Sequence, residues 1–427
     1  MKKRAQNESI ENHNLSQVGW LLLLSAAMGV LVLLGMWFEP QSILPGLLRI
    51  GQSSGLLISD YMAIGGPGAA FVNAGIVGLS GLLLAHLHGV NLSGPVIAGV
   101  FTMAGFGFFG KNWWSIWPVI LGVALFSRVT RRPFKSFILV AMFGTALAPL
   151  VTQAAFGFGW GVIAGSALGI LAGFLLPPLA VYMLRLHQGF NIYNVGLTCG
   201  FLGLFITALL GGLGYPITLP LSWSEEYSGL LSRFVIVYMG AMVTVGLGLA
   251  RGLGSWRSLL REAGTLPTDF VALCGAGTTL INMGLIGFMG WGYITLVGGT
   301  FNGPTLGGIF TMVGFAAFGK HLVNVPPIMA GVYLSSWLFV WEPAQPGPLL
   351  AALFATTLAP LSGRFGPLLG ILAGVVHSLL VMRTAAWHGG LNLYNNGFAG
   401  GLTATLFVGI ISWWSNWREE HQRAATD

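Results

Sequence analysis

The sequence predicts an all-α integral membrane protein made of two inverted repeats of about seven hydrophobic segments each, about 14 in total, some of them short or broken. Three observations predict it: too little charge for a water-facing surface, one unit that occurs twice, and opposite basic bias in equivalent loops. Of 427 residues, 7% are charged and 55% hydrophobic, and the mean hydropathy is +0.78. Soluble chains carry about 25% charged residues. A soluble enzyme is therefore excluded by the shortage of charge, and a disordered chain by the apolar content. Glycine accounts for 65 residues but follows no collagen period.

The duplication is read directly. Residues 91–111, NLSGPVIAGVFTMAGFGFFGK, and 300–320, TFNGPTLGGIFTMVGFAAFGK, agree at 11 of 21 positions at an offset of 209. The same offset pairs Asp60 with Asp269, Asn73 with Asn282, and Pro118 with Pro327. Further on, ALAPL at 146–150 matches TLAPL at 357–361, and HQGFNIYN at 187–194 matches HGGLNLYN at 388–395.

Each segment follows in order. A polar stretch beginning Lys2, Lys3, Arg4 and ending at Gln17 precedes the apolar run 18–38. No small-x-small cleavage site closes that run, so it reads as an uncleaved first helix. The first unit continues with 66–87, 93–110, 113–128, 134–152, 158–184 and 190–212. The second repeats them at 232–250, 272–298, 303–319, 323–341, 348–362, 366–382 and 390–412. Segments 93–110 and 303–319 open on Gly-Pro, which suits a half-length helix preceded by extended backbone. Pro149 and Pro360 interrupt the fifth segment of each unit. The expected domains are an N-terminal tail 1–17, a first membrane repeat 18–214, a linker 215–231, a second membrane repeat 232–412 and a C-terminal tail 413–427.

Basic residues give the orientation. The loop 128–135 holds Arg128, Arg131, Arg132 and Lys135, whereas its counterpart 341–348 has no basic residue and carries Glu342. Conversely, Arg251, Arg257 and Arg261 follow the first helix of the second unit, where the first unit has only Arg49. Positive residues mark the cytoplasmic side, so the two units face opposite ways and each crosses an odd number of times. Both termini are then cytoplasmic, the linker with Glu225 and Glu226 external, and the location a cell inner membrane. The net charge of +7 sits in these loops and tails, so no nucleic-acid surface is implied. The lipid bilayer and a small solute are the expected partners, with a homo-oligomer possible.

Inverted repeats with interrupted helices place solute sites near the midplane, where backbone groups are freed. The matched breaks Gly94-Pro95 and Gly303-Pro304 are candidate binding elements, against the alternative of close helix packing. Asn73 and Asn282 each stand in an N-x-G sequence inside an apolar segment, where an amide both donates and accepts. Thr102 and Thr311 line the site or bond their own helix. His187, Asn191 and Asn194 fall at i, i+4 and i+7, as do His388, Asn392 and Asn395, giving one helical face each. These serve a solute, or act as caps and inter-helix hydrogen bonds. Asp60 and Asp269 are the best ionisable candidates for coupling, against a capping role. Lys111 and Lys320 end their short segments, so they are expected to snorkel to headgroups, an anion-attracting role being the alternative.

No cofactor, metal site or catalytic residue is expected. Cys199 and Cys274 lie in apolar segments and read as packing residues. His86 and His88, two apart, point to different faces of a helix and make a poor metal pair. Gly78-Leu79-Ser80-Gly81 matches the G-x-S-G of intramembrane serine proteases, with His377 as a conceivable base, but Met289 replaces Ser80 in the second unit. No Walker A sequence is present, so the chain does not drive transport with ATP by itself.

The paired GPxxxGxFTMxGFxxFGK segments, LAPL and H-x-G-[FL]-N-[IL]-Y-N-x-G resemble a family of bacterial multi-pass membrane proteins known as a domain of unknown function. More remotely, LNLYNNGFAGGL (391–402), FNIYNVGLTCGF (190–201) and FVNAGIVGLSGLLL (71–84) are similar to segments that flank the pore of urea transporters. The proline of that family's N-P-x-S-G segment and its phenylalanine-asparagine pore sequence are not found here. The crossing count is similar to the seven-plus-seven fold of nucleobase and anion carriers, an architectural analogy only. The expected function is translocation of a small polar solute or ion through a site between the units. A secondary carrier leads, a passive urea-transporter-like channel follows, and an intramembrane enzyme comes last.

Overall fold

A computed structural model describes residues 15–250 and 254–424. Residues 1–14 of the expected N-terminal tail, Arg251 of the basic cluster, and residues 425–427 lie outside the described residues. The described chain is helical, with two isolated β-bridges, Ser59 with Ser222 and Asp60 with Phe109. Nine helices among the described residues are long and apolar enough to cross a membrane.

The first unit runs α1 (Gln17–Phe38), a short helix α2 (Ile43–Gln52), α3 (Tyr61–Gly65), α4 (Pro67–Leu87), α5 (Gly94–Phe106), α6 (Ile116–Val129), α7 (Phe134–Gly157), α8 (Gly161–His187) and α9 (Asn194–Gly212). The second runs α10 (Ser228–Leu249), α11 (Gly254–Leu259), α12 (Phe270–Leu296), α13 (Gly303–Phe315), α14 (Pro326–Leu338), α15 (Pro346–Phe354), α16 (Ala359–Phe365), α17 (Pro367–Trp387) and α18 (Asn395–Ala424). All seven expected segments of each unit are therefore present, and α18 continues as helix well beyond residue 412. The breaks also correspond. Gly66 (φ +84°) separates α3 from α4, and Gly275 (φ +78°), 209 residues on, kinks α12. Both hold a left-handed conformation that costs glycine nothing. The helical turn tightens at Thr145–Leu147 within α7 and at Ala355–Leu358 between α15 and α16, each just before the proline of L-A-P-L.

Contacts trace the path. Gln17 accepts a hydrogen bond from Leu92 N (2.6 Å), so α1 begins where α5 begins, and Glu39 accepts from Gly68 N (3.4 Å), so α1 ends where α4 begins. His88 at the end of α4 packs on Phe134 (ring centroids 4.7 Å), which places the basic loop 128–135 on the starting face. Gly347 instead lines a cavity with Leu219 of the linker, so the loop 341–348 sits on the opposite face. Equivalent loops on opposite faces are what an inverted repeat requires.

At the centre, α5 and α13 lie side by side and antiparallel. Each has 13 residues, about 20 Å at 1.5 Å per residue, short of the ~30 Å of hydrocarbon. Small residues let them touch: a Cβ on Gly105 would come within 2.9 Å of Phe310 Cβ, and one on Gly314 within 2.8 Å of Phe101 Cβ. Helices α9 and α18 meet near their N-termini on the same pseudo-twofold axis, where Gly196 and Gly397 are adjacent.

Candidate functional site

The half-length helices leave their N-terminal amides inside the protein, where such groups need acceptors. Each unit supplies the acceptor for the other. Asp60 caps α3 by accepting from Met62 N (2.9 Å) and crosses to α13 by accepting from Gly303 N (3.1 Å). Its other oxygen accepts from Ser224 N of the linker (2.8 Å), and the side chain is fully buried. Asp269 caps α12 through Val271 N and Ala272 N and accepts from Gly94 N at the start of α5 (3.0 Å). The breaks Gly94-Pro95 and Gly303-Pro304 thus present their positive dipole ends to the partner unit's carboxylate.

The asparagines perform a second positioning task. Asn73 donates to Gly107 O (2.6 Å) and Lys111 O (2.9 Å) and accepts from Trp113 N (3.0 Å). Asn282 donates to Ala316 O and Lys320 O, both at 2.7 Å. Each amide closes the turn after a half-length helix and so sets where the following lysine starts. Thr102 and Thr311 donate to Ala98 O (2.6 Å) and Gly307 O (2.7 Å), four residues back in their own helices.

The His–Asn sets do not lie on one helical face. His187 ends α8, Asn191 stands in the reversal and Asn194 begins α9. The chain turns at Gln188 and Gly189, both with positive φ, so the spacing closes a loop instead of a stripe. His187 Nε2 is 2.9 Å from Asn194 Oδ1, while Asn191 N donates to His187 Nδ1 (3.3 Å). His388, Asn392 and Asn395 repeat this at 3.0 and 3.4 Å. Asn191 and Asn392 then cross the axis, donating to Gly397 O and Gly196 O at 3.1 Å each. Asn194 and Asn395 donate to Ala180 O and Val381 O.

These frames surround two lysines that reach no headgroup. Lys111 and Lys320 are both fully buried, which overturns the snorkelling expectation: their helices end inside the protein and the asparagines hold the turn there. Lys320 Nζ donates to Tyr193 Oη and to Thr356 Oγ1 (2.7 Å), and stands 4.5 Å from the Tyr193 ring centroid. Lys111 Nζ stands 5.1 Å from the Phe106 ring centroid and 5.5 Å from that of Tyr394, with no hydrogen-bond partner among the described residues. The only salt bridge among the described residues joins Arg423 and Glu419, so neither lysine has a carboxylate partner there.

An aromatic layer separates the two ammonium groups. Tyr193 and Tyr394 pack at 5.8 Å across the axis, each on the phenylalanine of its neighbouring half-length helix: Tyr193 on Phe315 (4.5 Å) and Tyr394 on Phe106 (4.7 Å). Phe354 covers Phe106 (5.6 Å) and Phe143 covers Phe315 (5.5 Å). The tyrosines and Thr356 escape a sequence reading focused on asparagine. Both tyrosines nonetheless stand inside the repeated Y-N motif.

Two cavities border this centre. One of about 270 Å³ opens beside the linker and is lined by Ile58, Phe109, Pro220, Phe354, Leu393 and Asn395, among others. Another, of about 330 Å³, lies between α1 and α10; apart from Tyr238, which donates to Ala27 O (3.0 Å), its walls are apolar. Elsewhere Ser80 donates to Ile76 O in its own helix and His377 lies 2.9 Å from Asn396, so each has a local partner. Both cysteines are free and buried.

A family model described as a protein of unknown function (DUF1576) matches residues 39–211 and 251–413, one stretch in each unit. No curated protein and no solved structure matches the chain.

Proposed function

We propose, for a chain that belongs to the DUF1576 family of proteins of unknown function, that it moves a small polar solute or ion across a membrane through the interface between its two units. One observation carries the reading. Two lysines at equivalent positions are buried at the centre, on either side of a tyrosine pair, with no carboxylate partner among the described residues. Burying an ammonium group is costly unless it is paired, and a fold that needed only packing would place an apolar side chain there. Intramembrane ionisable residues mark solute and ion pathways, and carriers built on inverted repeats hold their solute at the repeat interface.

Burial also favours a carrier over an open channel. Both lysines are 0% exposed, so a solute reaches them only after the aromatic layer moves. In this reading Lys111, Lys320, Tyr193, Tyr394 and Thr356 face the solute. Asn73, Asn282, Asp60 and Asp269 are positioning residues, as are Asn191, Asn194, Asn392 and Asn395. By the positive-inside rule the face bearing Arg128, Arg131, Arg132 and Lys135 is cytoplasmic.

The test is flux in proteoliposomes with a panel of urea, small anions and monovalent cations. The reading expects saturable uptake and counterflow of one class, reduced at least tenfold by Lys111→Met and by Lys320→Met in variants that remain monodisperse. Absence of flux across the panel, or flux that both variants leave unchanged, would overturn it.

A further inference from the structure

The two lysines are equivalent by sequence and unequal in their partners. Lys320 has Tyr193 Oη and Thr356 Oγ1 as acceptors. The matching groups around Lys111 are Tyr394 and Thr145, yet Lys111 Nζ bonds to neither, and Tyr394 Oη, beside the Thr102 hydroxyl that donates to Ala98 O, has no close hydrogen bond among the described residues. Thr145 instead donates to Met142 O. The Lys111 ammonium, 5.5 Å from the Tyr394 ring centroid, and the Tyr394 phenol are thus both fully buried without a hydrogen-bond partner among the described residues.

No carboxylate among the described residues pairs with either group. The rings of Phe106 and Tyr394 face the ammonium, and ring faces attract a cation without accepting a full hydrogen bond. Cys199, whose thiol donates to Gly144 O (4.0 Å), is an electrostatic neighbour of Lys111. Asp60, bridged to Phe109, has its oxygens engaged by three backbone amides. The missing element is therefore an external acceptor carrying negative charge.

From this we infer that Lys111 Nζ and Tyr394 Oη form a binding site for a small monovalent anion. The inference rests on the transport reading for the anion's route, not for its site. One ammonium balances one charge, so multivalent anions are poorly matched. The site is close-packed, which selects monatomic or few-atom anions such as chloride or nitrate. The 270 Å³ cavity beside the linker supplies the approach: Phe354, one of its walls, is stacked on Phe106, and Leu393, another, touches Gly110 next to Lys111. On the opposite side, Lys320 already has its two acceptors, Tyr193 Oη and Thr356 Oγ1, and leaves no open position for an added ion.

The experiment titrates chloride and nitrate into full-length purified protein kept in gluconate at constant ionic strength, and follows the thermal unfolding midpoint. The wild type is expected to rise with chloride or nitrate along a saturating curve. Lys111→Met should weaken the apparent affinity at least tenfold, Tyr394→Phe severalfold, and the loop variant Lys135→Met less than twofold. Tyr394→Phe removes one oxygen and keeps the ring, so it stays informative if Lys111→Met does not fold. No anion-specific rise in the wild type, as a neutral amine would give, overturns the inference. So does a rise that Lys111→Met and Tyr394→Phe both leave intact. Flux separates the two claims: saturating anion binding without flux of any solute supports this site and sinks the transport reading. Saturable flux that Lys111→Met and Lys320→Met reduce, with no anion-specific rise in the unfolding midpoint, does the reverse.

Discussion

Substituting Asp60 and Asp269 in parallel tests the exchange of helix caps between the units. Asp60 uses both oxygens, Oδ1 for Met62 N and Gly303 N and Oδ2 for Ser224 N. Among the described residues, Asp269 accepts from Gly94 N, Val271 N and Ala272 N, all through Oδ1. Asparagine preserves one carbonyl oxygen. Asp269→Asn therefore keeps all three acceptor contacts and loses only the charge at two helix N-termini, about 1–2 kcal/mol. Asp60→Asn keeps two contacts, turns an NH2 group toward Ser224 N and loses the charge as well. A hydrogen bond to a charged group contributes about 1.5–3 kcal/mol, so the total is about 2.5–5 kcal/mol. Asp60→Ala leaves two buried amides and the half-buried Ser224 amide unpaired and costs at least about 4 kcal/mol. Denaturant unfolding of purified protein in one detergent, read by tryptophan fluorescence, measures the order Asp60→Ala, then Asp60→Asn, then Asp269→Asn. If Asp269→Asn costs as much as Asp60→Asn, or if Asp60→Asn is neutral, the exchanged-cap description is wrong.

Three further outcomes are expected. Asn73→Ala strands two carbonyls and one amide and should cost about 3–5 kcal/mol, against about 2–3 for Asn282→Ala, whose Oδ1 has no partner to lose; the same unfolding assay compares them. Gly105→Ala and Gly314→Ala, each forcing a Cβ to within 3 Å of a phenylalanine Cβ on the opposing helix, should each destabilise by about 1–3 kcal/mol; a stabilising effect would contradict the packing of α5 on α13. Single cysteines in loops 128–135 and 341–348 should react with an impermeant thiol reagent from opposite sides of the membrane, and labelling from one side would refute the inversion.

Segment positions and the inverted relation were legible because both are written in local composition: apolar runs, their breakers and the placement of a few arginines. The Gly-Pro starts and L-A-P-L breaks fall where the helices are interrupted. Partners were not legible. Asp60 and Asp269 share an offset with Gly94 and Gly303, but no sequence pattern says that each aspartate caps the helix of the other unit. The lysines look superficial because they follow 13-residue helices; their burial depends on how deeply those helices start, which is set by contacts 175 and 243 residues apart in sequence. The His–Asn spacing suggested a stripe because periodicity cannot distinguish a helix from a closed turn. The glycines of HQG and HGG, which stop a helix, were the signal for the turn.

The central claim is that a solute path passes between the units along Lys111 and Lys320. Cysteine at either position, in a Cys199→Ser, Cys274→Ser background, tests it most directly through labelling by a small anionic thiosulfonate in sealed proteoliposomes. The account predicts that Lys111→Cys reacts from the linker face and Lys320→Cys from the opposite face. Failure of both to react, under conditions that label loop cysteines fully, would contradict it.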